Sequence, residues 1–100
     1  MPRALSMHRT VVTPGDRVKF FERLRSREAH YKGAGCQFWL FEEAALPGAF
    51  IEFTEAPDAG TLKSAHLTAA NPPLDPSRIY TQVELADVIA RLPRATERSR

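Results

Sequence analysis

Only one cysteine, Cys36, occurs in the 100 residues, so no disulfide can form within the chain. A reducing compartment, the cytoplasm, is the natural setting for such a sequence. Net charge is also scarce: 14 Lys and Arg stand against 12 Asp and Glu, a formal +2. So small an excess gives little pull on a phosphate backbone. Much of it falls at Arg91, Arg94, Arg98 and Arg100, which read as a solvated basic tail over 93–100. Long apolar runs are missing too. Nothing approaches the ~18 residues of a membrane span, and the opening Met-Pro-Arg-Ala-Leu-Ser-Met lacks the apolar core of a signal peptide. No membrane partner is expected. Phosphate loops, nucleophile elbows and metal-binding helix motifs are likewise absent. His8, His30, His66 and Cys36 have no close ligand spacing, so no metal and no cofactor is implied.

What is present suffices for one domain with an ordered core over about 7–92. Met7–Val12 closes on β-branched residues and reads as a first strand, with Met7 as an alternative start. Thr13-Pro14-Gly15-Asp16 then opens a helix: Thr13 caps, Pro14 suits the first turn, and Asp16 sits at the positive end of the dipole. Val18, Phe21 and Leu24, widened by Phe20, form its apolar stripe to about His30, and Gly33 and Gly35 break it. A second strand follows from about Gly35 to Glu42, a turn over Glu43–Gly48, and a third strand over Ala49–Glu55, paired to the second as a hairpin. Pro57-Asp58 opens a shorter helix to about His66 or Leu67. Asn71-Pro72-Pro73-Leu74-Asp75-Pro76 is a loop. Arg78–Leu85 alternates as a strand, while Thr81-x-x-Glu84 is also a capping box before Leu85, Val88, Ile89 and Leu92. The reading adopted is strand to about Glu84 or Leu85, then a short helix stopped near Pro93.

The order is β-α-β-β-α-β, the ferredoxin-like arrangement of an α+β fold. Its four-stranded antiparallel sheet carries both helices on one face and leaves the other bare. The second strand, Cys36-Gln37-Phe38-Trp39-Leu40-Phe41, is apolar on both sides. Cys36, Phe38 and Leu40 share one face; Trp39 and Phe41 share the other and fall on the bare side. An uncovered aromatic pair marks an interaction surface. The occupant expected is a second copy of the chain, sheet to sheet.

Here the sequence resembles the dimeric α/β-barrel superfamily, in particular its antibiotic biosynthesis monooxygenase-like branch. The resemblance runs from about Met7 to Leu85. It is carried by Val11-Val12-Thr13-Pro14-Gly15 before the first helix, and by Phe50-Ile51-Glu52-Phe53 before a short helix ending in Ala65-His66. It implies a homodimer that binds a small apolar or aromatic compound, or acts on it by cofactor-independent, monooxygenase-like chemistry. Oxygenating members use an Asn on the first strand, a Trp shortly before the helix, and the helical His. This chain has His8 but no Asn on that strand, Thr54 near the Trp position, and His66 as the one residue that carries over.

The residues themselves point to a site in the cleft between sheet and helices. His66 is the candidate acid or base, since only histidine titrates near neutrality unperturbed. Trp39, Glu52 and Tyr80 are the expected lining, with Phe50 and His8 as further binding residues. If Ile51 and Phe53 face the helices, then Phe50, Glu52 and Thr54 face the barrel interior, where Arg9 or Arg78 would pair with Glu52. His30 reads as a capping or surface residue, and Cys36 as core. Two other readings compete. One is a purely structural or ligand-binding dimer without catalysis. The other is an RNA-recognition motif, because Ala49-Phe50-Ile51-Glu52-Phe53 resembles the latter half of RNP1. Leu46, Pro47 and Gly48 depart from the first half of that motif, and the first strand offers no stacking aromatic. Nucleic acid is therefore disfavoured.

Overall fold

The computed structural model describes residues 2–70, 72 and 75–93. Over these residues the fold is α+β, with a four-stranded antiparallel sheet and three α-helices. The elements are β1 (Ala4–Val11), α1 (Arg17–Gly33), β2 (Gln37–Glu42), β3 (Ala49–Ala56), α2 (Ala59–Thr68), β4 (Tyr80–Thr81) and α3 (Leu85–Arg91). Spatially the strands run β2-β3-β1-β4. No helix among the described residues is long and apolar enough to cross a membrane.

β1 starts three residues earlier than expected, because Ala4 and Ser6 are buried against Ala56 and Thr54 of β3. Small residues contribute little to a hydrophobic pattern, so the pattern of the sequence begins only at Met7. A 3-10 turn over Pro14–Asp16 leads into α1. Thr13 does not cap the backbone; its Oγ1 donates to Asp16 Oδ2 at 3.0 Å. The inward stripe of α1 is also rotated from the one predicted. Phe20, Leu24 and Tyr31 are buried, at i, i+4 and i+11, whereas Val18 is exposed. α1 continues to Gly33, past the predicted end at His30, and Gly35 turns the chain with φ +84°.

Gly48 ends the β2–β3 loop at φ +96°, and a Cβ there would lie 2.6 Å from the Val12 carbonyl oxygen. Val12 N–H donates to the Gly48 carbonyl at 2.7 Å, so the loop is held to the end of β1 where only glycine fits. α2 begins as predicted after Pro57, and Asp58 Oδ1 accepts from Thr61 N–H at 2.7 Å. Of the loop expected over Asn71–Pro76, residues 71, 73 and 74 lie outside the described set, as does 94–100 of the basic tail.

β4 is far shorter than the strand predicted to reach Glu84 or Leu85. It pairs Tyr80 with Leu5 and Thr81 with Ala4, so one residue further on it has passed the start of β1. Gln82 N–H still reaches the Arg3 carbonyl at 2.8 Å, and then the ladder has no partner left. The short helix expected after Glu84 forms as α3, but without the capping box: Thr81 belongs to β4, Glu84 is the N-cap and makes no side-chain cap hydrogen bond, and α3 buries none of its residues.

Strand register fixes which side chains share a face. Toward α1 and α2 lie Ala4, Ser6, His8 and Thr10 of β1, Phe50, Glu52, Thr54 and Ala56 of β3, and Phe38 and Leu40 of β2. Away from them lie Leu5, Met7, Ile51, Phe53, Trp39, Phe41 and Tyr80. This overturns the expectation that Ile51 and Phe53 face the helices: Phe50, Glu52 and Thr54 do. Phe20 of α1 packs on Phe50 with ring centroids 4.9 Å apart, and Tyr31 stacks on Phe38. With Leu24, Leu62 and Ala65 these residues make the core.

Candidate functional site

Two places in the molecule gather chemistry-bearing side chains, one on each side of the sheet. The first lies under the helices, where β1 and β3 present a polar row instead of the apolar one a core normally takes. His66 of α2, 3% exposed, reaches down onto the central strand β1 and not to a sheet edge. Its Nδ1 is hydrogen-bonded with Tyr31 Oη at 2.6 Å. Its Nε2 is hydrogen-bonded with Ser6 Oγ at 3.1 Å. Burial pushes the Tyr31 phenol up to about 12, so it remains an O–H donor at neutral pH. His30 does more than cap: its Nε2–H donates to the Ala65 carbonyl at 2.8 Å, tying α1 to α2.

Beside this chain Arg27 Nη1 meets Glu52 Oε1 at 2.5 Å. Neither Arg9 nor Arg78, the partners expected for Glu52, is involved; Arg9 pairs with Glu43, and Arg78 with Asp75. His8 lies opposite Glu52 across the β1–β3 ladder and faces the same cluster.

A nucleophile with a base at 3 Å and a third group behind it has the outline of a catalytic triad. Access decides otherwise. The space among these side chains amounts to about 10 Å³, roughly one water molecule. No substrate fits there. Cys36 is no nucleophile either, since it is buried in the core and burial raises its thiol pKa.

His66 should nevertheless be visible in solution. Burial holds its pKa below the ordinary 6.5, with His30 nearby adding to the effect. The unfolded chain therefore takes up this proton first, and its contribution to stability is complete above about pH 6.5 and is lost as the pH falls below it. The urea midpoint should drop between pH 7 and pH 5, with a slope from this group of at most about 1.4 kcal/mol per pH unit. His66→Gln should remove that part of the slope. An unchanged slope in that variant would show that His66 titrates equally in both states.

The second place is the outer face of the sheet. Here Leu5, Trp39, Phe41, Phe53 and Tyr80 floor an open groove of about 480 Å³, within the size range of small-molecule sites. Trp39 is 43% exposed, Phe41 55% and Tyr80 46%. Phe41 and Phe53 meet edge to face, 5.5 Å between centroids. The Arg3–Glu55 ion pair also lines the groove, so the charges among its described lining residues oppose one another.

The residues singled out from the sequence are thus divided between the two faces. His66, Glu52, His8 and Phe50 lie under the helices, while Trp39 and Tyr80 line the outer groove. Phe50 is covered by Phe20 and presents no stacking surface for a base. Ser6, Arg27 and Tyr31 were missed. The signal for the last two was the stripe Phe20, Leu24, Arg27, Tyr31 at i, i+4, i+7 and i+11; Ser6 had none beyond its alternation with Ala4. Among the described residues no three His, Cys, Asp or Glu side chains gather to hold a metal ion.

Comparison with protein families, curated proteins and solved structures finds no match.

Proposed function

We propose that the chain is a homodimeric, ferredoxin-like α/β-barrel protein that binds a small, uncharged apolar or aromatic compound in the groove on its outer sheet face. One observation carries this reading: in the central strands the uncovered face is the more apolar of the two. Leu5, Met7, Ile51 and Phe53 point outward where Ser6, His8, Glu52 and Thr54 point toward the helices. A sheet face of that composition is stable when covered, and a second identical face is a self-complementary cover. The strand order β2-β3-β1-β4, with α1 and α2 on one side, favours the ferredoxin-like frame that such barrels use. Binding is favoured over monooxygenase-like turnover because His66 has both ring nitrogens engaged in a sealed cluster.

Sedimentation equilibrium should return twice the 11.2 kDa chain mass. Trp39 is the only tryptophan and lines the groove, so 1-naphthol should quench its fluorescence saturably. A mass of one chain at all concentrations would overturn the dimer, and a quench that never saturates would overturn the binding site.

A further inference from the structure

The chain carries a second uncovered apolar surface, and it fits the first. Beyond Gln82 the polypeptide leaves the sheet as an arm comprising Val83 and α3. Leu85, Val88, Ile89 and Leu92 recur at i, i+3, i+4 and i+7, the stripe of a helix seated on something. Yet no residue of α3 is buried, and these four remain 38–66% exposed. Among the described residues, no element of the same chain packs beneath the stripe.

We infer that the arm crosses to the second copy and closes over that copy's groove, so that each binding site is built from both chains. This rests on the homodimer proposed above. Three observations favour the partner's groove as the seat. The stripe from Leu85 to Leu92 rises about 10 Å along the helix, and the groove spans the four strands from Tyr80 to Trp39, roughly 14 Å. The arm springs from Gln82, itself on the groove's rim, so a two-fold pairing across this face brings each arm beside the other copy's groove. The exposed apolar side chains of face and arm together amount to on the order of 800 Å² per chain, the size of a standard interface. The sheet face supplies about half of that. α3 supplies the rest, and its opposite side, with Ala86, Asp87, Ala90 and Arg91, suits solvent.

The test is a matched pair of full-length variants. Leu85→Asp with Ile89→Asp charges the stripe, and Ala86→Asp with Ala90→Asp adds the same charge at the same spacing on the opposite side. The stripe variant should dissociate at about a hundredfold higher concentration than the unsubstituted chain, and the control within a few-fold of it. At concentrations where the stripe variant is still paired, Trp39 should become open to acrylamide quenching, while in the control it stays protected. A stripe variant that pairs normally and keeps Trp39 protected overturns the arm's role and leaves the dimer standing. A chain that is monomeric without any substitution overturns both.

Discussion

In the proposed homodimer, Phe41→Asp should separate the two chains. Phe41 lies on the outer face of β2 at 55% exposure, edge to face with Phe53, and is not part of the core under the helices. In the proposed pair its remaining exposed area, roughly 110 Å², is covered by the other copy. At ~25 cal/mol/Å² that is about 3 kcal/mol per chain, or roughly 5 kcal/mol for the pair. The aspartate adds the cost of bringing a carboxylate into an apolar contact. Association should therefore weaken by at least about 1,000-fold. Sedimentation equilibrium at micromolar concentration reads this directly, with far-UV circular dichroism confirming an unchanged fold. A Phe41→Asp protein that remains paired would show that the outer face of the sheet is not where the copies meet.

The face assignment behind that expectation also marks how far the sequence could be read. Element order, the β2–β3 hairpin, the start of α2 and the outward placement of Trp39 and Phe41 all follow from spacing and turn residues. The orientation of β3 did not. Ile51 and Phe53 alternate with Glu52 and Thr54, and the ordinary rule turns the apolar pair inward. Here the rule fails because the covered side satisfies its polar row by pairing it: Arg27 meets Glu52, and Tyr31, His66 and Ser6 bond in series. With inward polar groups paired, the apolar row is released to the outer face. For the same reason His66 could be named in advance while its partners could not. A histidine near a helix end is conspicuous in a sequence, whereas Tyr31 and Ser6 matter only once α1, α2 and β1 are brought together. The shortness of β4 was equally hidden, because it depends on where β1 begins and not on the residues of 78–85.

That paired row sets the largest stability effect to be expected of a single substitution. Arg27→Met should destabilise the protein by about 3–5 kcal/mol, because it leaves the Glu52 carboxylate buried without its counter-charge. The Glu52 side chain is 4% exposed and that of Arg27 23%, so water does little to screen the pair or to replace the lost partner. Methionine preserves the apolar stem of Arg27 against the sheet, so the loss is electrostatic and not a cavity. In a domain of this size the cost is comparable with a large part of the total stability, and the midpoint of thermal unfolding should fall by roughly 15–30 °C. The Arg17–Glu42 pair is the natural comparison: it makes two hydrogen bonds, at 3.0 and 3.2 Å, but both side chains reach solvent. Arg17→Met should for that reason matter far less. The decisive measurement is the double substitution Arg27→Met with Glu52→Leu, followed by urea unfolding. Removing both charges replaces the pair with apolar contact, and most of the lost stability should return. If the double variant is as unstable as the sum of the two single ones, Arg27 and Glu52 act independently, and the polar row under the helices is not held together by their pairing.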